Sequence, residues 1–120
     1  MKYLLIMHMN PVLWQSLTED EHNDVFQGHE CFQKLISESG EMVETKALAA
    51  PDSTRTVRVR DGATRTDAGP FAESEAFLCG YYVVDVAGEE RAVELAALIP
   101  DARHTAIEVR PVIHEAGAQP

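Results

Sequence analysis

The sequence is short of basic residues, aromatics and cysteine, and each shortage narrows what the chain can be. Ten Lys and Arg stand against twenty Asp and Glu, leaving a net charge of −10. Such a chain repels a phosphate backbone unless it carries a separate basic face, so the isolated domain is expected to bind no nucleic acid. The nearest thing to a basic face is Arg55, Arg58, Arg60 and Arg65, whose spacing suits a solvated hairpin. Cys31 and Cys79 are the only cysteines, each inside an apolar segment. A secreted disulfide scaffold needs more, and no Cys/His spacing marks metal ligands, so both are expected to be buried, reduced thiols. The opening run "MKYLLIMHMNP" is too short to span a bilayer and lacks a basic leader and a small-residue cleavage site. It reads as the first strand of a cytoplasmic protein without membrane attachment. There is no G-x-S-x-G, no glycine-rich phosphate loop, and no basic neighbour beside either cysteine. Covalent catalysis, a cofactor and a metal centre are therefore not expected.

What is present suffices for one domain spanning residues 1–120: 45% of the residues are hydrophobic, and only 7% are aromatic, so aliphatic side chains must build the core. Lys2 to Met9 predicts a strand apolar on both faces, Tyr3, Leu5 and Met7 on one, Leu4 and Ile6 on the other. The connector "NPVLWQSLT" reads as a loop carrying the single tryptophan, Trp14. Thr18 and Glu21 form a capping box that opens a helix, Val25, Phe26, His29, Phe32 and Ile36 follow at helical spacing, and Gly40 closes it. Glu41 to Leu48 alternates as a strand. Arg55 to Arg60 and Ala63 to Thr66 flank Asp61-Gly62, a hairpin signal. Leu78 to Val86 is the second strand apolar on both faces. A helix opened by Gly88-Glu89-Glu90 carries Ala92, Leu95, Ala96 and Ile99 as one stripe and stops at Pro100. Thr105 to Val112 is a last strand, and the tail His114–Pro120 is expected to fray.

The resulting order, β-α-β-hairpin-β-α-β, is that of a ferredoxin-like (split βαβ) α+β fold, with an antiparallel sheet, two helices on one face and an inserted β-hairpin. Two helices cover one face only. The other face of the two apolar strands would stay wet in a monomer, which predicts a homodimer packed sheet against sheet as a dimeric α+β barrel.

The stretch "TDAGPFAESEAFLCGYYVVDV" (66–86), together with "AIEVRPV" (106–112) and the Phe32, Leu35, Gly40, "EMVETKAL" block, resembles the DGPF branch of the YCII-related domain family. The resemblance covers nearly the whole chain. It implies a ferredoxin-like, commonly dimeric bacterial protein, and an enzymatic role resting on a shared His and Asp. Branch members fused to sigma-factor domains imply the alternative, a non-catalytic regulatory or interaction module. Two departures stand out. Asp67-Ala68-Gly69-Pro70-Phe71 has one residue more than Asp-Gly-Pro-Phe. His29 falls where the family carries its histidine, but the aspartate expected immediately before a proline is Ile99 here, with Asp101 the nearest acid, so the pair reads as half-present.

Three residues follow as catalytic candidates. His29 suits acid–base work because imidazole titrates near neutral pH. His8 would approach it if its face of the first strand points at the helices. Asp67 either caps a turn through backbone amides or edges a cleft and orients a histidine. Gly69 is expected at positive φ, Pro70 to fix the exit direction, and Phe71 to plug into apolar surroundings. The expected ligand is a small organic molecule.

Overall fold

Strand β1 (Lys2–Met9) pairs antiparallel on both sides, with β5 (Phe77–Asp85) and β6 (Ala106–Pro111), and β5 pairs in turn with β2 (Met42–Ala47). The sheet order β2-β5-β1-β6 puts the two strands that are apolar on both faces at the centre. The structure is a computed structural model that describes residues 1–117, so residues 118–120 of the tail lie outside it. It is a mixed α+β molecule with one four-stranded antiparallel sheet, three helices and a separate two-stranded hairpin.

Tyr3, Leu5 and Met7 of β1 and Tyr82 and Val84 of β5 form the core with Phe32 and Ile36 of α2 (Glu19–Glu38) and Ala92, Leu95 and Ala96 of α3 (Glu89–Leu98). Burying each Leu or Ile here stabilises by about 1.5–3 kcal/mol. Leu4, Ile6, Tyr81 and Val83 point to the opposite face, which no helix covers, and are half-buried. The strict alternation expected of β2 breaks at Val43, where a bulge shifts the register between Met42 and Glu44 and lets both Met42 and Thr45 share the core side.

Helix α2 begins as its sequence dictates. The Thr18 hydroxyl accepts from Glu21 N and the Glu21 carboxylate accepts from Thr18 N, while Glu19, Asp20 and Glu21 sit at the positive end of the dipole. It ends in a Schellman motif: Glu41 N donates to Ile36 O, Gly40 N donates to Ser37 O, and Gly40 adopts φ 78°.

Two local expectations are corrected. "NPVLWQS" is not a loop: Asn10 accepts from Val12 N and Leu13 N, Pro11 takes the first helical position, and Pro11–Ser16 forms the short helix α1. Cys31 is not buried; it lies on the exposed side of α2. The hairpin forms as expected around Asp61-Gly62, both at positive φ, but its strands β3 (Arg55–Arg60) and β4 (Ala63–Ala68) pair only with each other.

Candidate functional site

His29 lies on the inner side of α2, seven residues after His22 and three before buried Phe32, so helical spacing alone turns it toward the sheet. Its surroundings come from two distant segments. Burial of Ile99 at the end of α3 anchors a 3₁₀ turn, Pro100–Arg103, against α2 and β1. That approach is permitted by Gly28, where a Cβ would lie 2.4 Å from Pro100 Cγ. The turn delivers Asp101, 4% exposed, to the imidazole.

The contacts form a chain. His29 Nε2 donates to Asp101 Oδ1 at 2.7 Å. With that nitrogen protonated, Nδ1 of the neutral ring accepts from the Tyr82 hydroxyl at 2.9 Å. The same hydroxyl accepts from Gln33 Nε2 at 3.1 Å. Cys79 Sγ lies 3.7 Å from the other carboxylate oxygen, Asp101 Oδ2, and 3.5 Å from Met7 O, the two acceptors within reach of its single thiol proton. Burial, reinforced by the Asp101 charge, pushes the Cys79 thiol up to about 12, so it serves as a neutral donor and not as a nucleophile. Burial likewise raises the Tyr82 phenol above its ordinary range.

This chain forms the polar floor of a cavity of about 690 Å³. The remaining walls are mostly apolar, with Met9, Trp14, Phe26, Leu48 and Phe77 prominent. Trp14 is held in place by stacking on His22 at 4.2 Å between ring centroids, and His22 Nε2 donates to Trp14 O at 2.7 Å. Helix α1 thus supplies a wall that the sequence presented as a connector, and His22 is half-buried beneath it.

The three sequence candidates do not converge. His29 lines the cavity. His8 lies on the other face of the sheet, where its Nε2 meets the Glu108 carboxylate. Asp67 belongs to β4 and pairs with Arg58 Nη1 at 2.8 Å, so it neither caps a turn through backbone amides nor reaches His29. Gly69 does take a positive φ of 96°, but Phe71 stays 76% exposed, with the Arg58 guanidinium 5.4 Å from its ring. Nor is the His/Asp pair half-present. Asp101 completes it from the far side of Pro100, because the 3₁₀ turn brings the residue after the proline to the histidine. Gln33 and Cys79 are the site residues that sequence reasoning missed. A glycine in mid-helix next to His29 was the available signal, since such a residue marks a close approach. Among the described residues no group of three His, Cys, Asp or Glu is arranged to hold a metal ion, and no helix is long and apolar enough to cross a membrane.

Comparison with known proteins agrees with the family read from the sequence. The chain is 25% identical over 114 residues to an uncharacterised protein of Rhizobium meliloti (strain 1021), an alignment covering 93% of this chain and 92% of that one. The model of the YCII-related domain matches residues 1–116, and the chain belongs to that family.

Proposed function

We propose that the protein binds a small, mostly apolar organic molecule carrying one carbonyl or hydroxyl oxygen, and that His29 moves a proton on it. The observation that carries this reading is the position of His29 between Asp101 and Tyr82 at the polar floor of a mostly apolar cavity, with Glu30, Thr45 and Lys46 also in its lining. A cavity of that size and lining suits a drug-sized ligand. A substrate acid replaces the Tyr82 hydroxyl at Nδ1 and gives up its proton there. Asp101 faces the imidazolium that results and stabilises it from the Nε2 side. Tyr82 and Gln33 are then free to hydrogen-bond the substrate oxygen as its charge changes. Returning the proton to another atom of the same molecule completes an isomerisation without a covalent intermediate.

The quaternary reading belongs to the same proposal. The strand order supports a ferredoxin-like chain, and the uncovered face with Leu4, Ile6, Tyr81 and Val83 supports a homodimer closed sheet to sheet into an α+β barrel of the DGPF branch type. Fluorescence of Trp14 or a thermal shift finds a ligand, and deuterium exchange into that ligand, followed by NMR, reads the chemistry. His29→Gln should keep binding within about threefold and lower exchange by about 100-fold or more. Unchanged exchange in His29→Gln would falsify the acid–base assignment.

A further inference from the structure

The hairpin β3–β4 has no place in the core, and its side chains are sorted as if it had a partner. None of its residues joins the hydrophobic cluster or the four-stranded sheet. The hydrogen bonds at its root, Gly69 N to Thr54 O and Thr56 Oγ1 to Gly69 O, tie its two legs to each other and not to the body. The chain accordingly has a radius of gyration of 16.4 Å, against roughly 14 Å for a compact chain of its length. A two-stranded ribbon alone in water is marginally stable at best.

The pairing register separates two faces. Val57 and Val59 lie opposite Thr66 and Thr64 on one, and both valines are about 60% exposed (61% and 59%). Arg58, Arg60 and Arg65 occupy the other, with Asp67. Of the hairpin's four arginines, only Arg58 makes an ion pair among the described residues; Arg55 and Arg60 donate to the carbonyls of the residues just before them. Four arginines against Asp61 and Asp67 give residues 55–68 a charge of +2, so the rest of a chain of net −10 carries −12.

We infer that this hairpin is an arm that docks on a second copy of the chain. The inference rests on the dimer reading above and adds which element makes the embrace. A second copy supplies both things the arm lacks on its own body. Its helix α2 carries Glu19, Asp20, Glu21, Asp24, Glu30 and Glu38 against a single Lys34. The same helical layer exposes Leu35, Val93 and Leu98 to meet the valines. Nucleic acid meets the same four arginines but also the −12 of the body, which repels it within a Debye length, roughly 10 Å at 0.1 M salt.

The test uses the full chain. Sedimentation across the micromolar range gives the mass, and hydrogen exchange gives protection of residues 55–68 at each concentration. The wild type should dimerise, with arm protection that rises with concentration and falls with salt. Val57→Asp/Val59→Asp should weaken self-association at least about tenfold and abolish the concentration dependence, while leaving core exchange and the Trp14 emission unchanged. A wild-type dimer whose arm protection ignores concentration, and whose affinity ignores the double substitution, overturns the arm and leaves the dimer standing. A wild type that stays monomeric overturns both. Retention of duplex DNA by the wild type, lost in Arg58→Glu/Arg60→Glu, overturns the choice of partner.

Discussion

Gly28 and Pro100 touch without room for a methyl group: a Cβ on Gly28 would stand 2.4 Å from Pro100 Cγ. The contact joins mid-helix α2 to the turn after α3, and the residues that follow each partner, His29 and Asp101, are the hydrogen-bonded pair at the cavity floor. Gly28→Ala should therefore act on both stability and chemistry. The substitution gains about 1 kcal/mol of helix propensity, and overpacking costs about 1–3 kcal/mol. A lower denaturant midpoint, together with a changed His29 imidazole resonance in NMR, is the expected result. A more stable variant with an unchanged resonance would show that the turn yields freely.

Asp101 holds His29 by a charge-assisted hydrogen bond in a nearly dry position, so Asp101→Ala should cost about 1.5–3 kcal/mol in urea unfolding. Asp101→Asn keeps the shape and an oxygen to accept from Nε2 and should recover most of that loss. It removes the anion that faces the imidazolium, so proton exchange into a ligand should remain depressed by tenfold or more in Asn as in Ala. Recovery of exchange in the Asn variant would assign Asp101 to structure alone.

The two thiols should separate by reactivity. Cys31 is exposed on α2, whereas Cys79 is partly buried, lies against Asp101 and Met7 O, and has its thiol pushed up to about 12. At pH 8 the native protein should take up one equivalent of alkylating reagent, at Cys31, and the unfolded chain two; mass spectrometry of the digested protein locates the label. Rapid native labelling of Cys79 would remove it from the neutral hydrogen-bond chain.

Arg91 clamps Glu41 from α3 with two hydrogen bonds, Nε to Oε2 and Nη2 to Oε1, both 2.9 Å. The guanidinium holds the Glu41 carboxyl below the usual glutamate range. A carboxylate whose folded pKa is lowered contributes stability above its unfolded pKa and loses it as pH falls through the folded value. The wild type should thus lose midpoint stability on acidification below about pH 4.5, and Arg91→Gln should flatten that part of the profile while lowering stability at neutral pH. An identical acid limb in both proteins would mean the clamp contributes nothing measurable.

Much of the framework was legible because local rules govern it. The capping box at Thr18–Glu21, the Gly40 stop, the Asp61-Gly62 turn and the stripe of α3 each involve residues a few positions apart, and each forms. The failures have equally physical causes. Helix α1 was hidden because six residues give too few turns for a periodicity, although Asn10-Pro11 is a cap followed by a first-turn proline. The sequence neighbours Gly69 and Pro70 suggest that Asp67 caps a turn or edges a cleft. The ladder instead runs on to Ala68 and sets its carboxylate beside Arg58. The bulge at Val43 was invisible because a one-residue slip leaves the composition of a strand unchanged.

The sequence by itself determined the order of the strands and the two longer helices, the two central strands and the candidacy of His29, since two-sided apolarity and helical spacing are properties of neighbouring residues. Only the tertiary structure decided which acid meets that histidine. Asp101 lies 72 positions away, and reaches it because Gly28 leaves space for a proline ring. The folded chain likewise put His8 on the far side of the sheet and Asp67 on the hairpin. A strand alternates its side chains between two faces, and which face becomes the inside is settled only when helices pack on one of them.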